Sequence, residues 1–205
     1  RTMFDTACGH TPTSLREARW PLATLSIAIF TVSMDNTILN VALPSIARDL
    51  SADTTGLQWV VTAYSLMFGG LLMTAGSLGD RLGRRRVLLL GLTAMAACSV
   101  LAPLVGDVWQ LVALRAAIGA AAAFVMPSTL AILSVLFEEP LRTRALGLVG
   151  SVGAVAFVVG PILAGWLLEH GPWTWVILLN VPLAALALAL SLIVVPESRQ
   201  RTTRP

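Results

Sequence analysis

Residues 22–43 read LATLSIAIFTVSMDNTILNVAL, and within that stretch Asp35 is the lone ionisable side chain. A helix rises ~1.5 Å per residue and bilayer hydrocarbon is ~30 Å thick, so ~20 such residues make one crossing. Residues 56–78, 87–106, 108–137, 145–168 and 171–195 have the same character, free or nearly free of charge. None shows the short apolar–polar alternation of a membrane β-barrel strand. The reading is an all-α membrane protein with six transmembrane helices. The bundle occupies residues 22–196, between a polar N-terminal tail (1–21) and a basic tail or linker (197–205).

Composition agrees. Of 205 residues, 56% are hydrophobic and 12% charged, with a mean hydropathy of +0.80. A soluble domain of this size needs about twice that charge to cover its surface, and six spans of ~20 residues leave little chain for one. A net charge of +3 and a pI of 9.7 come from arginines flanking apolar windows, not from a basic face, so a nucleic-acid partner is not expected. Cys8 and Cys98 make no metal-like spacing with His10 or His170, so neither a disulfide framework nor a metal site is expected. The tail leads into a full-length span rather than a short apolar core with a cleavage site, so a cleaved leader is not expected either.

Orientation follows from the arginines, which accumulate in cytoplasmic loops. Arg1, Arg16 and Arg19 precede the first span, Arg81 and Arg84 to Arg86 follow the second, Arg142 and Arg144 follow the fourth, and Arg199, Arg201 and Arg204 follow the sixth. Arg48 alone lies in an opposite loop, and Arg115 is inside a span. Both termini are therefore expected on the cytoplasmic side. Trp59, Trp109, Trp166, Trp173 and Trp175 fall near outer span ends, where indole prefers the headgroup region.

Asp35 and Arg115 are the two ionisable side chains well within the spans, and each costs roughly 2.5–3.5 kcal/mol at a helix centre. Counting ~1.5 Å per residue puts Asp35 ~13 Å below the outer end at Pro44 and Arg115 ~10 Å below Val108. They share a depth. They form either a structural ion pair locking two helices or a proton or substrate site in a water-filled cavity. The second is favoured because intramembrane charges default to pathways. Ser33, Asn36, Thr37 and Asn40 cluster on one side of the first span with Asp35 nearly opposite. A helix polar on two faces must be enclosed by other helices or wet on one side.

In the fifth span Gly147, Gly150, Gly153, Ala156, Gly160 and Ala164 recur every three or four residues, beside Pro161 and Gly165. Such a stripe permits close packing, and Gly160–Pro161 could bend the helix, because proline lacks a donor and crowds the preceding turn. Pro127 and Pro182 raise the same possibility in the fourth and sixth spans. After the second span, residues 76–86 read GSLGDRLGRRR, whose three glycines permit a tight turn. Arg84 to Arg86 start the next helix, where its positive dipole end disfavours cations. Topology and anionic headgroups supply one reason for that placement; a gating contact through Asp80 and Arg81 is the other. A phosphate cradle is not expected, since GxxxxGK[ST] is absent.

These stretches together resemble the major facilitator superfamily. Residues 76–86 resemble its GxLaDrxGrkxxl signature at Gly76, Leu78, Asp80, Arg81, Gly83, Arg84 and Arg85. Arg115 and Gly119 look like the RxxxG element of the fourth helix, and residues 160–165, GPILAG, are similar to the antiporter motif GPxxGG, with Ala164 for its first paired glycine and Ala156 where an earlier glycine is usual. Residues 34–44, MDNTILNVALP, resemble LDxTIVNVALP of the fourteen-helix drug:proton antiporters. Residues 59–66 and 173–182 look like that family's second and sixth helices.

The resemblance covers residues 22–196. It implies the N-terminal half of a major facilitator fold, two inverted three-helix repeats with the first and fourth spans as counterparts. It further implies proton coupling or substrate binding at Asp35 and Arg115, with Asn36 and Asn40 beside them. A cytoplasmic gate would use Gly76, Asp80, Arg81, Gly83 and Arg84, and a conformational bend Gly160, Pro161 and Gly165. The expected function is proton-coupled efflux of hydrophobic or cationic small molecules from the plasma (inner) membrane, driven by the proton gradient with no cofactor. The missing partner is a C-terminal half or a second copy, with a fragment favoured. The alternatives are a metabolite uniporter or symporter, and a non-transporting six-helix module that binds a partner or is an inert truncation. An enzyme is not expected: HExxH and GxSxG are absent, and His10 and His170 lie outside the spans.

Overall fold

A computed structural model describes residues 18–195. Cys8, His10, Arg1, Arg16, Arg199, Arg201, Arg204 and nearly all of both tails lie outside the described residues. The helices are α1 (Arg19–Asp49), α2 (Thr54–Leu82), α3 (Arg84–Val100), α4 (Val108–Leu136), α5 (Leu141–His170), α6 (Thr174–Leu178) and α7 (Asn180–Val194), with one 3-10 turn at Ala102–Leu104. No strand occurs among the described residues. Six stretches are long and apolar enough to cross a membrane, the sixth formed by α6 and α7 together. They are interrupted at Leu179, one turn before Pro182, whose missing N–H leaves the Leu178 carbonyl without its usual donor.

The long helices outrun the apolar windows because polar residues cap them. Asp53 accepts from the Gly56 N–H at 2.8 Å ahead of α2, and Asp107 accepts from the Trp109 N–H at 2.6 Å ahead of α4. The joint between α2 and α3 is tighter than three glycines suggested. Gly76 and Gly79 are helical, and Gly83 alone makes the turn, at φ 107°. A side chain there is strained, so Gly83→Ala is expected to cost about 1–3 kcal/mol of stability. Unfolding in detergent checks this; an unchanged midpoint would mean that the joint relaxes freely.

α1 and α4 are the centre. Buried positions make up 67% of the apolar window of α1 and 56% of that of α4, against 22% for both α2 and α5. α5 packs along α1 and α2 along α4; α7 leans on α1 and α3 on α4; α3 and α7 touch, as do α1 and α4. Exchanging the first three spans for the last three leaves this pattern unchanged, as two three-helix repeats require. The small-residue stripe of α5 explains its seat on α1: Gly153, Ala156, Gly160 and Ala164 are buried. A Cβ on Gly160 would lie 2.8 Å from Thr37 Oγ1, while one on Gly147, Gly150 or Gly165 would meet open space. The packing face is therefore the inner part of the stripe, and α5 is continuous through Pro161.

Two expectations change. Trp173 is 4% exposed and belongs to the core, unlike Trp59, Trp109, Trp166 and Trp175, which stay exposed. The polar side of α1 also divides. Ser33 and Thr37 face α5 at Gly153 and Gly160, whereas Asn36 and Asn40 are exposed.

Candidate functional site

The two intramembrane charges meet. Arg115 Nη1 donates to Asp35 Oδ2 at 2.8 Å, joining the central helices, with the side chains 2% and 1% exposed. A third helix completes the site: Asn180 Nδ2 donates to Asp35 Oδ1, so each carboxylate oxygen has its own donor. A fourth covers it, because the Tyr64 ring of α2 lies under the Arg115 guanidinium, 4.3 Å from Cζ to the ring centroid.

Local sequence explains this convergence. Gly119, one turn beyond Arg115, lies against the α2 backbone; a Cβ there would come within 2.9 Å of Tyr64 Cα. That close approach brings Tyr64 to Arg115. Asn180 is the first residue of α7, directly after the Leu179 break, and is fully buried. Sequence reasoning missed it. The available signal was that Asn180 is the single amide in the sixth apolar window, where an unpaired polar group is costly.

The pair does not border open space: α1, α2, α4 and α7 enclose it. Asn36 and Asn40 of α1 are exposed, and Asn36 lies beside Tyr64. The geometry is that of a buried, charge-assisted hydrogen bond whose partners come from helices equivalent under the repeat exchange. Chemically, such a carboxylate can take up a proton, and doing so would cancel the charge that holds the guanidinium. No group of His, Cys, Asp and Glu able to hold a metal ion occurs among the described residues.

A second cluster lies at the α2–α3 joint. Asp80 accepts from Arg84 at 3.0 and 3.3 Å, Arg84 Nη1 also donates to the Ala131 carbonyl of α4 at 2.8 Å, and Arg85 donates to the Leu192 carbonyl of α7 at 2.6 Å. This accounts for arginines at a helix N-terminus, where their own dipole disfavours them. They reach carbonyls toward the C-terminal ends of neighbouring helices, where cations are favoured and, at Leu192, the last carbonyls lack helical donors. Asp80 and Arg81 are exposed, Gly79 is buried, and Gly76 packs loosely at Pro127.

Fold and site define a multi-pass membrane protein built from paired three-helix repeats around a buried ion pair. Residues 25–205 match the family model described as Major Facilitator Superfamily, and the chain belongs to that family, whose members are transporters rather than enzymes. It is 40% identical over 206 residues to the multidrug efflux pump LfrA of Mycolicibacterium smegmatis, covering 98% of this chain and 41% of LfrA. It is also 40% identical over 170 residues to the puromycin resistance protein pur8 of Streptomyces alboniger, covering 82% of this chain and 34% of pur8. The methyl viologen resistance protein SmvA of Salmonella typhimurium is 35% identical over 185 residues, covering 90% of this chain and 37% of SmvA. The chain thus spans about two fifths or less of the length of these relatives. The human organic anion transporter MFSD10 (TETRAN) shares the fold at a TM-score of 0.70 and 21% identity, over 88% of this chain and 48% of that one.

Proposed function

We propose that the chain is the first half of a proton-coupled exporter of hydrophobic or cationic small molecules that works by alternating access. The observation that carries this reading is the Asp35–Arg115 pair, buried at 2.8 Å between the central helices. A carboxylate so placed is retained at a cost of several kcal/mol and by default serves a pathway. Protonation of Asp35 frees Arg115 from its counter-ion, and that change biases how α1 and α4 pack. Asn36 and Asn40 contact cargo on the open side of α1. The resistance and efflux names of the relatives support a hydrophobic or cationic cargo, with methyl viologen the first to try.

In this reading a second six-helix half, or a second copy, covers the exposed faces of α2 and α5, where Leu66, Met73, Val158 and Ile162 are 62–89% exposed. Gly76, Asp80, Arg81, Gly83 and Arg84 form a cytoplasmic gate against it, and Gly160, Pro161 and Gly165 allow α5 to bend. Residues 1–21 and 197–205 are tails on the cytoplasmic side of the inner membrane, and the proton gradient is the energy source, without a cofactor.

The test places the chain, completed by a second half, in proteoliposomes. An imposed pH gradient is expected to drive methyl viologen opposite to proton flow, and Asp35→Asn to reduce movement to the leak rate. Movement indifferent to the gradient would remove proton coupling, and movement along with protons would make the protein a symporter.

A further inference from the structure

Asn180 has no role so far beyond holding Asp35, yet its two amide atoms have unequal surroundings. Nδ2 donates to Asp35 Oδ1, while Oδ1 of the same amide is buried with no hydrogen-bond partner. A buried amide oxygen left unpaired has given up its hydration with nothing in return. Serine, which could donate to Asp35 and turn its hydroxyl to suit, would hold the carboxylate without that orphan.

We propose that Asn180 is a reversible hydrogen-bond partner that serves both protonation states of Asp35. A carboxylate only accepts, so Nδ2 must face it; a carboxylic acid donates, and an amide turned over about its Cβ–Cγ bond presents Oδ1 to that proton. The added proton sits on Asp35 Oδ1; Arg115 keeps its charge but now faces a neutral acid, which accepts at Oδ2 without a counter-charge to hold it. Each protonation state of Asp35 therefore selects one orientation of the amide: Nδ2 toward the carboxylate, Oδ1 toward the acid. The orphaned Oδ1 is the cost of keeping both available.

The surroundings leave few competing partners. Among the described residues, the titratable groups facing Asp35 are Arg115 from α4 and Tyr64 from α2. α7 contributes the neutral Asn180, and the ionisable residues of α5 sit at its ends, Arg142, Arg144, Glu169 and His170.

This proposal rests on the reading that Asp35 takes up a proton, and the experiment separates the two. Infrared difference spectra between neutral and acid pH are recorded on this chain, completed by a second half, in lipid nanodiscs, with asparagine carrying carbon-13 in its side-chain carbonyl. The expected result is a carboxylic-acid band lost in Asp35→Asn, accompanied by a shift of a labelled amide band. Asn180→Leu is expected to shift the acid band to that of an acid whose hydroxyl has lost its acceptor while its carbonyl still accepts from Arg115. Asn180→Ser, whose hydroxyl both donates and accepts, keeps it bonded. An acid band with the labelled amide unmoved in the wild-type chain overturns the Asn180 role while leaving the proton site standing, and that readout does not depend on any variant folding. Absence of any Asp35 acid band overturns both.

Discussion

Arg115→Leu is expected to destabilise the bundle by about 3–5 kcal/mol, the penalty for leaving one partner of a buried ion pair without the other. Asp35 is 1% exposed and no second cation among the described residues faces it, so water cannot replace the guanidinium without opening α1 from α4. The Tyr64 ring also loses the group it covers. The companion double variant Asp35→Asn with Arg115→Leu removes the uncompensated charge and is expected to be less destabilised than Arg115→Leu alone. Reversible unfolding of the four proteins in mixed detergent micelles closes the cycle. Strictly additive effects would mean that the 2.8 Å contact carries no coupling.

The second large effect is at Gly119, where a methyl group meets α2 backbone rather than a side chain that can rotate. Overpacking of this kind costs about 1–3 kcal/mol, and parting α2 from α4 also loosens the Tyr64 cover on Arg115. Gly119→Ala is therefore expected to exceed Gly160→Ala, whose nearest obstacle is the Thr37 hydroxyl at 2.8 Å. Gly165→Ala, facing open space, is expected to be neutral or to gain up to about 1 kcal/mol from helix propensity. Unfolding midpoints rank the three variants. Equal losses at Gly119 and Gly165 would show that the α2–α4 contact is not tight.

Much of the site was legible before any coordinates. Depth along a helix follows from residue count, so Asp35 and Arg115 were placed level, and they touch. What a count does not contain is rotation about the axis. Thr37 was grouped with Asn36 and Asn40 on angle alone, but the glycines of α5 draw Ser33 and Thr37 inward and leave the two asparagines outside. Asn180 was missed because a lone amide in a sixth span gives no sign of which helix it meets. Three glycines after the second span permit a tight turn, but helix continues through any glycine whose neighbours favour it, and of the three only Gly83 has a positive φ.

By itself the sequence determined how many stretches are long and apolar enough to cross a bilayer, which loops carry the positive charge and how far along its helix each charged residue lies. These quantities sum over local residues against a membrane of fixed thickness. Tertiary structure alone decided which side of each helix meets which neighbour. In a span apolar on every side, as α4 nearly is, hydropathy prefers no azimuth; the steric fit of Gly119 against α2 and the charge of Asp35 set it.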